Sequence, residues 1–152
     1  MRVMKIVLLA EDDENDAFAM KQACVRTGIP HVLKVVTDGQ MAIDYLSGAG
    51  EYSDRAAYPF PDVVLLDVKM PRRDGHDVLE WIRKRPGLNN LPVAMLSGSI
   101  LKEDVYRAYE LGVTSYLHKA PDLGAFGQSV RIFMKYWLEL NIAPRHKGAA
   151  LC

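Results

Sequence analysis

A chain of 152 residues, 49% apolar and 25% charged, is long enough for one domain with a real core and has an ordinary globular composition. Its 19 basic and 19 acidic residues cancel, which argues against a surface built to neutralise nucleic-acid phosphates. No run approaches the roughly 18 uninterrupted apolar residues of a membrane span. Cys24 and Cys152 suggest neither a disulfide framework nor a zinc site, so a reducing cytoplasm is the expected setting.

Lys5 to Ala10 is a short apolar run that predicts a first buried strand. Glu11-Asp12-Asp13-Glu14 follows where a secretory signal would carry a small-residue cleavage site, so the run is no signal peptide. Asp13 or Asn15 is expected to cap a helix with Ala17, Met20 and Cys24 on one face and Gly28 as its stop. Residues 32–36 predict a second strand closed by Asp38-Gly39, and Ala42, Ile43, Tyr45 and Leu46 mark a short second helix. The stretch 47–61 is polar and punctuated by glycine and proline. It is long for a connection inside a compact domain, and such loops are usually functional or mobile.

Val63-Val64-Leu65-Leu66 runs straight into Asp67, the pattern of a strand buried on both faces of a parallel sheet. Pro71 and Asp74-Gly75 force a turn directly afterwards. A helix holding Val78, Leu79 and Ile82 ends near Pro86-Gly87, and 92–97 is a fourth strand closed by Gly98-Ser99. Val105, Ala108, Tyr109 and Leu111 mark a fourth helix stopped by Gly112, and Ser115 to His118 is a brief fifth strand ending at Lys119. Asp122 should cap the last helix. There Leu123, Phe126, Val130, Phe133, Trp137 and Leu140 form a heptad-like seam widened by Met134 and Leu138. One domain over 1–141 is expected, followed by a flexible tail over 142–152. His31, His76, His118 and His146 make no ligand set and read as surface residues. Strand then helix, five times over, predicts an α/β fold with a parallel sheet and helices on both faces.

In such a sheet the carboxyl ends of the strands share one edge, where open α/β folds keep their ligand sites. Glu11-Asp12-Asp13, Asp67, Ser97 and Lys119 all stand at such ends. Crowded carboxylates require a counter-charge, and oxygen ligands without His or Cys suit Mg²⁺. A lysine and a hydroxyl beside them form a receptor for phosphoryl oxygens, with Asp67 as the nucleophile. For Asp13 a plain helix-capping role is the better reading.

At these residues the chain resembles the receiver domain of two-component response regulators. The acidic pair Glu11 and Asp12, then Asp67 with Met70-Pro71 and Asp74-Gly75 behind it, Ser97 and Lys119 fall in family order over about residues 4–140. The resemblance implies a flavodoxin-like (βα)5 fold with strand order 2-1-3-4-5. It implies that Asp67 accepts a phosphoryl group from a sensor histidine kinase, with Lys119 and Ser97 assisting. Mg²⁺ would be held by Asp12, Asp67 and the Lys69 carbonyl, with Glu11 acting through water, and Ser97 and Tyr116 would form the switch. Two departures stand out: Ala120 intervenes between Lys119 and Pro121 where the family usually has proline, leaving the cis or trans state of that peptide open, and serine occupies position 97 where threonine is also common.

The long 47–61 insertion and the aromatic last helix resemble single-domain regulators that partner phytochrome-type kinases. No output domain is expected after the receiver, so the expected output is contact with a downstream protein or onward passage of the phosphoryl group, as a relay intermediate or phosphate sink. A homodimer through Phe133, Trp137 and Leu140 is expected on the same resemblance. Two competing functions fit less well. A Mg²⁺-dependent aspartyl-phosphate phosphatase of the haloacid dehalogenase type wants an acid where Lys69 stands and has no room for a cap domain. A flavin-binding protein would meet the repulsion of Glu11-Asp12-Asp13-Glu14 in its phosphate loop.

Overall fold

The computed structural model describes residues 4–144, apart from the side chain of Leu123. Five strands, β1 (Lys5–Ala10), β2 (His31–Val36), β3 (Val63–Asp67), β4 (Val93–Ser97) and β5 (Ser115–His118), alternate with five helices. These are α1 (Glu14–Arg26), α2 (Gly39–Ser47), α3 (Gly75–Lys84), α4 (Lys102–Glu110) and α5 (Leu123–Met134). All pairings are parallel and the order is β2-β1-β3-β4-β5, a flavodoxin-like sheet.

Successive strand residues point to opposite faces, and β1, β3 and β4 are apolar on both. Val7, Leu9, Val63, Leu65, Ala94 and Leu96 pack with Met20 and Cys24 of α1 and Phe126, Val130 and Phe133 of α5. Leu8, Ala10, Val64, Leu66, Val93 and Met95 pack with Ile43 and Leu46 of α2, Val78, Leu79 and Ile82 of α3, and Ala108 of α4. The three central strands therefore lie between two apolar layers, and no described helix is long and apolar enough to cross a membrane.

Helix starts follow side-chain caps. Asp13, Asp38, Asp74 and Asp122 each accept a backbone N–H of the first turn, satisfying donors that have no partner inside the helix. Of the two candidates for α1, Asp13 is the cap.

At five points the structure differs from the sequence reading or goes beyond it. Helix α4 buries only Ala108 fully, with Val105 half-buried on the same side and Tyr109 52% exposed, so its inner face is narrower than the apolar positions imply. The insertion is packed down: Tyr52 is buried on a short 3-10 turn (Gly50–Ser53), and its ring meets those of Tyr45 and Tyr58. The α-helical period of α5 stops at Met134, and Lys135–Leu140 is a π-helical turn. Its wider turn puts Leu138 into the core and leaves Leu140 63% exposed. Phe133 is 5% exposed within its own core, so it offers no surface to a second copy. His76 is buried rather than superficial, while His31 and His118 are half-buried. Of the expected tail, 145–152, with His146 and Cys152, lies outside the described residues.

Candidate functional site

The carboxyl edge of the sheet opens into a cleft of about 540 Å³ lined by Glu11, Asp12, Asp13, Asp16, Asp67, Val68, Lys69, Ser97, Gly98, Ser99 and Lys119. Four of the five strands deliver residues by chain direction. Glu11 and Asp12 follow β1, Asp67 ends β3, Ser97 ends β4 and Lys119 follows β5. Backbone bonds continue the ladder past the strand ends: Glu11 N–H donates to the Val36 carbonyl (3.0 Å), Val68 N–H to Leu96 (3.1 Å) and Lys119 N–H to Ser97 (2.7 Å). The functional side chains thus sit on the last rigid residues of the sheet, with no slack between strand and site.

Lys119 is the hub. Its Nζ lies 2.6 Å from Glu11 Oε1, 3.0 Å from Asp67 Oδ1 and 3.1 Å from Asp16 Oδ2, with the side chain 18% exposed. Burial works against the ammonium charge, but the carboxylates of Glu11 and Asp67 outweigh it and hold the lysine well above its ordinary value. Burial pushes the Glu11 carboxyl up to about 7 against the pull of Lys119, and the neighbouring Asp67 adds to the rise. Asp16, an exposed partner of Lys119, was not singled out in the sequence. Its position one turn into α1 behind the Asp13 cap is the signal that could have found it.

One carboxylate oxygen from each of Glu11, Asp12 and Asp67 lies within 4.8 Å of the others. Five carboxylates and two ammonium groups line the cleft, so its charge balance is negative. An oxygen-only set at this spacing fits a hard divalent cation, which would hold Asp12 and Asp67 together and leave room for water or phosphate oxygens.

The far wall is a relay of polar contacts. Ser97 Oγ accepts from the Ser99 N–H (3.0 Å), Ser99 Oγ donates to Asp104 at the start of α4, and the Tyr116 hydroxyl donates to the Ser99 carbonyl (2.9 Å). Tyr116 is half-buried and packs against the α2–α3–α4 layer. The floor is set by Gly75: a Cβ there would lie 2.4 Å from the Asp67 carbonyl oxygen, so no other residue lets the β3–α3 loop fold back this closely. Among the described residues no peptide bond is cis, so Lys119–Ala120 is trans. Lys119 nevertheless reaches its partners.

The model for the response regulator receiver domain matches residues 7–131. Response regulator Rcp1 of Synechocystis sp. is 34% identical over 140 residues, covering 92% of this chain and 93% of its own. Among solved structures, the phosphorylated cyanobacterial phytochrome response regulator RcpA superposes with a TM-score of 0.86 at 34% identity, covering 94% of this chain and 100% of its own. The Mn²⁺-bound form of Rcp1 superposes with a TM-score of 0.83 at 34% identity, over 93% and 99%. This chain belongs to the response regulator receiver family, related to phytochrome response regulators.

Proposed function

We propose that the chain is a phosphorylation switch in which Asp67 takes a phosphoryl group from a phosphohistidine of a sensor kinase. The observation that carries this is the junction of Asp67 with Lys119 at 3.0 Å and with Glu11 and Asp12 in one oxygen cluster. A carboxylate oxygen of Asp67 bonds to phosphorus as the phosphorus–nitrogen bond of the donor breaks. Lys119 exchanges part of its hold on Glu11 and Asp67 for a phosphoryl oxygen, and Ser97 Oγ donates to another. Asp12, Asp67 and the Lys69 carbonyl, with Glu11 through water, would hold Mg²⁺, which would neutralise the phosphoryl charge. The kinship with an Mn²⁺-bound relative supports a divalent ion here.

The readout runs through Ser97, Ser99 and Tyr116. Drawing the Ser97 hydroxyl toward a phosphoryl group removes the acceptor of the Ser99 N–H, and Ser99 is also where Tyr116 and Asp104 attach. The result is a changed α4–β5 face for a downstream protein. In this reading the receiver occupies 1–141 with a tail over 142–152, works in the cytoplasm, and carries out no turnover beyond its own phosphorylation and dephosphorylation. Relatedness to phytochrome regulators supports a phytochrome-type kinase as donor. A homodimer through the last helix uses half-buried Trp137 and exposed Leu140, joined by exposed Ile132 and Tyr136. A monomer mass that does not change with concentration removes that part of the reading.

The test is incubation with Mg²⁺ and acetyl phosphate followed by intact-mass measurement. One added phosphoryl group per chain is expected, absent without Mg²⁺ and absent in Asp67→Asn. Labelling that survives Asp67→Asn, or sustained turnover of acetyl phosphate by many equivalents, overturns it.

A further inference from the structure

The β3–α3 loop, 68–74, carries Lys69 into the cleft and then makes an unusual turn. Arg72 has φ +64°, the one non-glycine residue at positive φ among those described. The Arg73 N–H donates to the Pro71 carbonyl at 2.7 Å, closing a three-residue turn around Arg72. A turn of this hand is rare and strained for a residue with a side chain. Backbone in that state persists only where its surroundings hold it.

What holds it is the start of α2. Arg72 Nε and Nη2 each reach an Asp38 carboxylate oxygen at 3.0 Å, a two-pronged pair across 34 residues of sequence. Asp38 is itself fixed, because the same carboxylate caps α2 by accepting the Met41 N–H at 2.8 Å. Arg73 Nε donates to Gln40 Oε1 at 2.9 Å. Between them the backbones touch: a Cβ on Gly39 would lie 2.0 Å from the Arg73 carbonyl oxygen. At the other end of the loop the Gly75 N–H donates to the Val68 carbonyl at 2.8 Å. Lys69 lies between these two anchors, and Pro71, whose φ is locked, leaves little freedom between it and Arg72.

We propose that Asp38 and Arg72 are positioning residues for the divalent-ion site: their ion pair holds the strained turn that keeps Lys69 in the cleft beside Asp12 and Asp67. The proposal rests on the reading of that cleft as an ion site. Loss of the pair lets the Arg72 turn relax, swings the loop away from α2 and weakens ion binding without touching a ligand.

Mg²⁺ titration by calorimetry on the whole chain, with the thermal midpoint recorded alongside, tests this. Asp38→Asn keeps the cap, since asparagine caps helices as well as aspartate. It is expected to weaken Mg²⁺ binding about tenfold, the low end for groups that orient metal ligands. Arg72→Ala should match it, and the double variant should be no weaker than either. Placed in the Asp38→Asn background, Arg72→Gly should restore most of the affinity, because glycine takes positive φ without strain. Arg72→Ala carries the same charge in that background and should not, so the comparison isolates the turn from electrostatics. Equal binding by the glycine and alanine doubles overturns the proposal. So does native affinity in Asp38→Asn while Asp12→Asn loses binding. Native affinity in Asp12→Asn instead overturns the ion-site reading itself.

Discussion

Two surface regions of this molecule are rich in polar residues, and they are built on opposite principles. In the insertion between α2 and β3 every charged or aromatic group described has found its match. Arg55 donates to the carbonyls of Tyr45, Leu46 and Tyr58 and stacks over the rings of Tyr45 and Phe60. The Tyr45 hydroxyl donates to Pro59, and burial pushes its phenol up to about 12, so it stays neutral. In the cleft at the carboxyl edge, one lysine is shared by three carboxylates, and a buried acid is pushed up to about 7. The satisfied region is architecture. The frustrated one fits a cation, because only added positive charge resolves its crowding of carboxylates.

The comparison breaks most visibly at Arg55. Its guanidinium satisfies the last carbonyls of α2, which have no partner within the helix. Arg55→Ala should cost about 2–4 kcal/mol, the loss of several charge-assisted bonds at a partly buried site. Urea unfolding with an unchanged slope measures it. Labelling of Asp67 by acetyl phosphate should persist at native extent wherever the variant is folded. A variant that keeps its stability but fails to label would show that the insertion belongs to the site after all.

His76 sharpens the contrast from outside both regions. It is buried at the start of α3, and its Nε2 has no hydrogen-bond partner. Burial holds its imidazole below the ordinary histidine value, with Arg107 of α4 adding to the effect and Asp74, Asp104 and Asp77 opposing it. The unfolded chain binds this proton near pH 6.5, whereas the folded chain resists it until lower pH. Its contribution is therefore complete above about pH 6.5 and is lost as pH falls from there through the folded value. His76→Leu removes an unsatisfied buried nitrogen and should gain about 1 kcal/mol at pH 8. The gain over native protein should widen on acidification. A difference that stays flat between pH 8 and pH 5 would show that His76 does not titrate differently in the fold.

How much of this was legible follows from what kind of pattern each feature leaves. Strands β1 and β5 and the caps Asp13 and Asp122 were readable because apolar runs, turn residues and capping act over a few neighbouring positions. The cleft was readable because parallel strands bring their ends together whatever the loops do. The Asp38–Arg72 pair was not, since 34 residues separate its halves and neither breaks a local pattern. Nor was the role of Arg55, whose partners are backbone carbonyls and leave no trace in side-chain types. His76 was read as superficial from its residue type alone. It stands three residues before buried Leu79, helical spacing that would have placed it on the inner face. The π-helical turn after Met134 displaced a seam that heptad spacing carried on through Trp137.

The smallest expected effect tests the cleft where its frustration is most exposed. Asp12 contributes a carboxylate to the oxygen cluster but makes no ion pair with Lys119, unlike Glu11, Asp16 and Asp67. Without a cation it therefore adds repulsion and receives little in return. Asp12→Asn should raise metal-free stability slightly, by about 0.5 kcal/mol, the scale of a solvent-exposed substitution. With Mg²⁺ the sign reverses. Native protein gains stability by binding the ion, as RT ln(1 + [Mg²⁺]/Kd), while the variant gains little. Thermal midpoints of both proteins over an Mg²⁺ series should cross. Curves that run parallel, with both midpoints rising alike, would mean that the ion is held elsewhere and that the crowding of acids at this edge serves only to pair with Lys119.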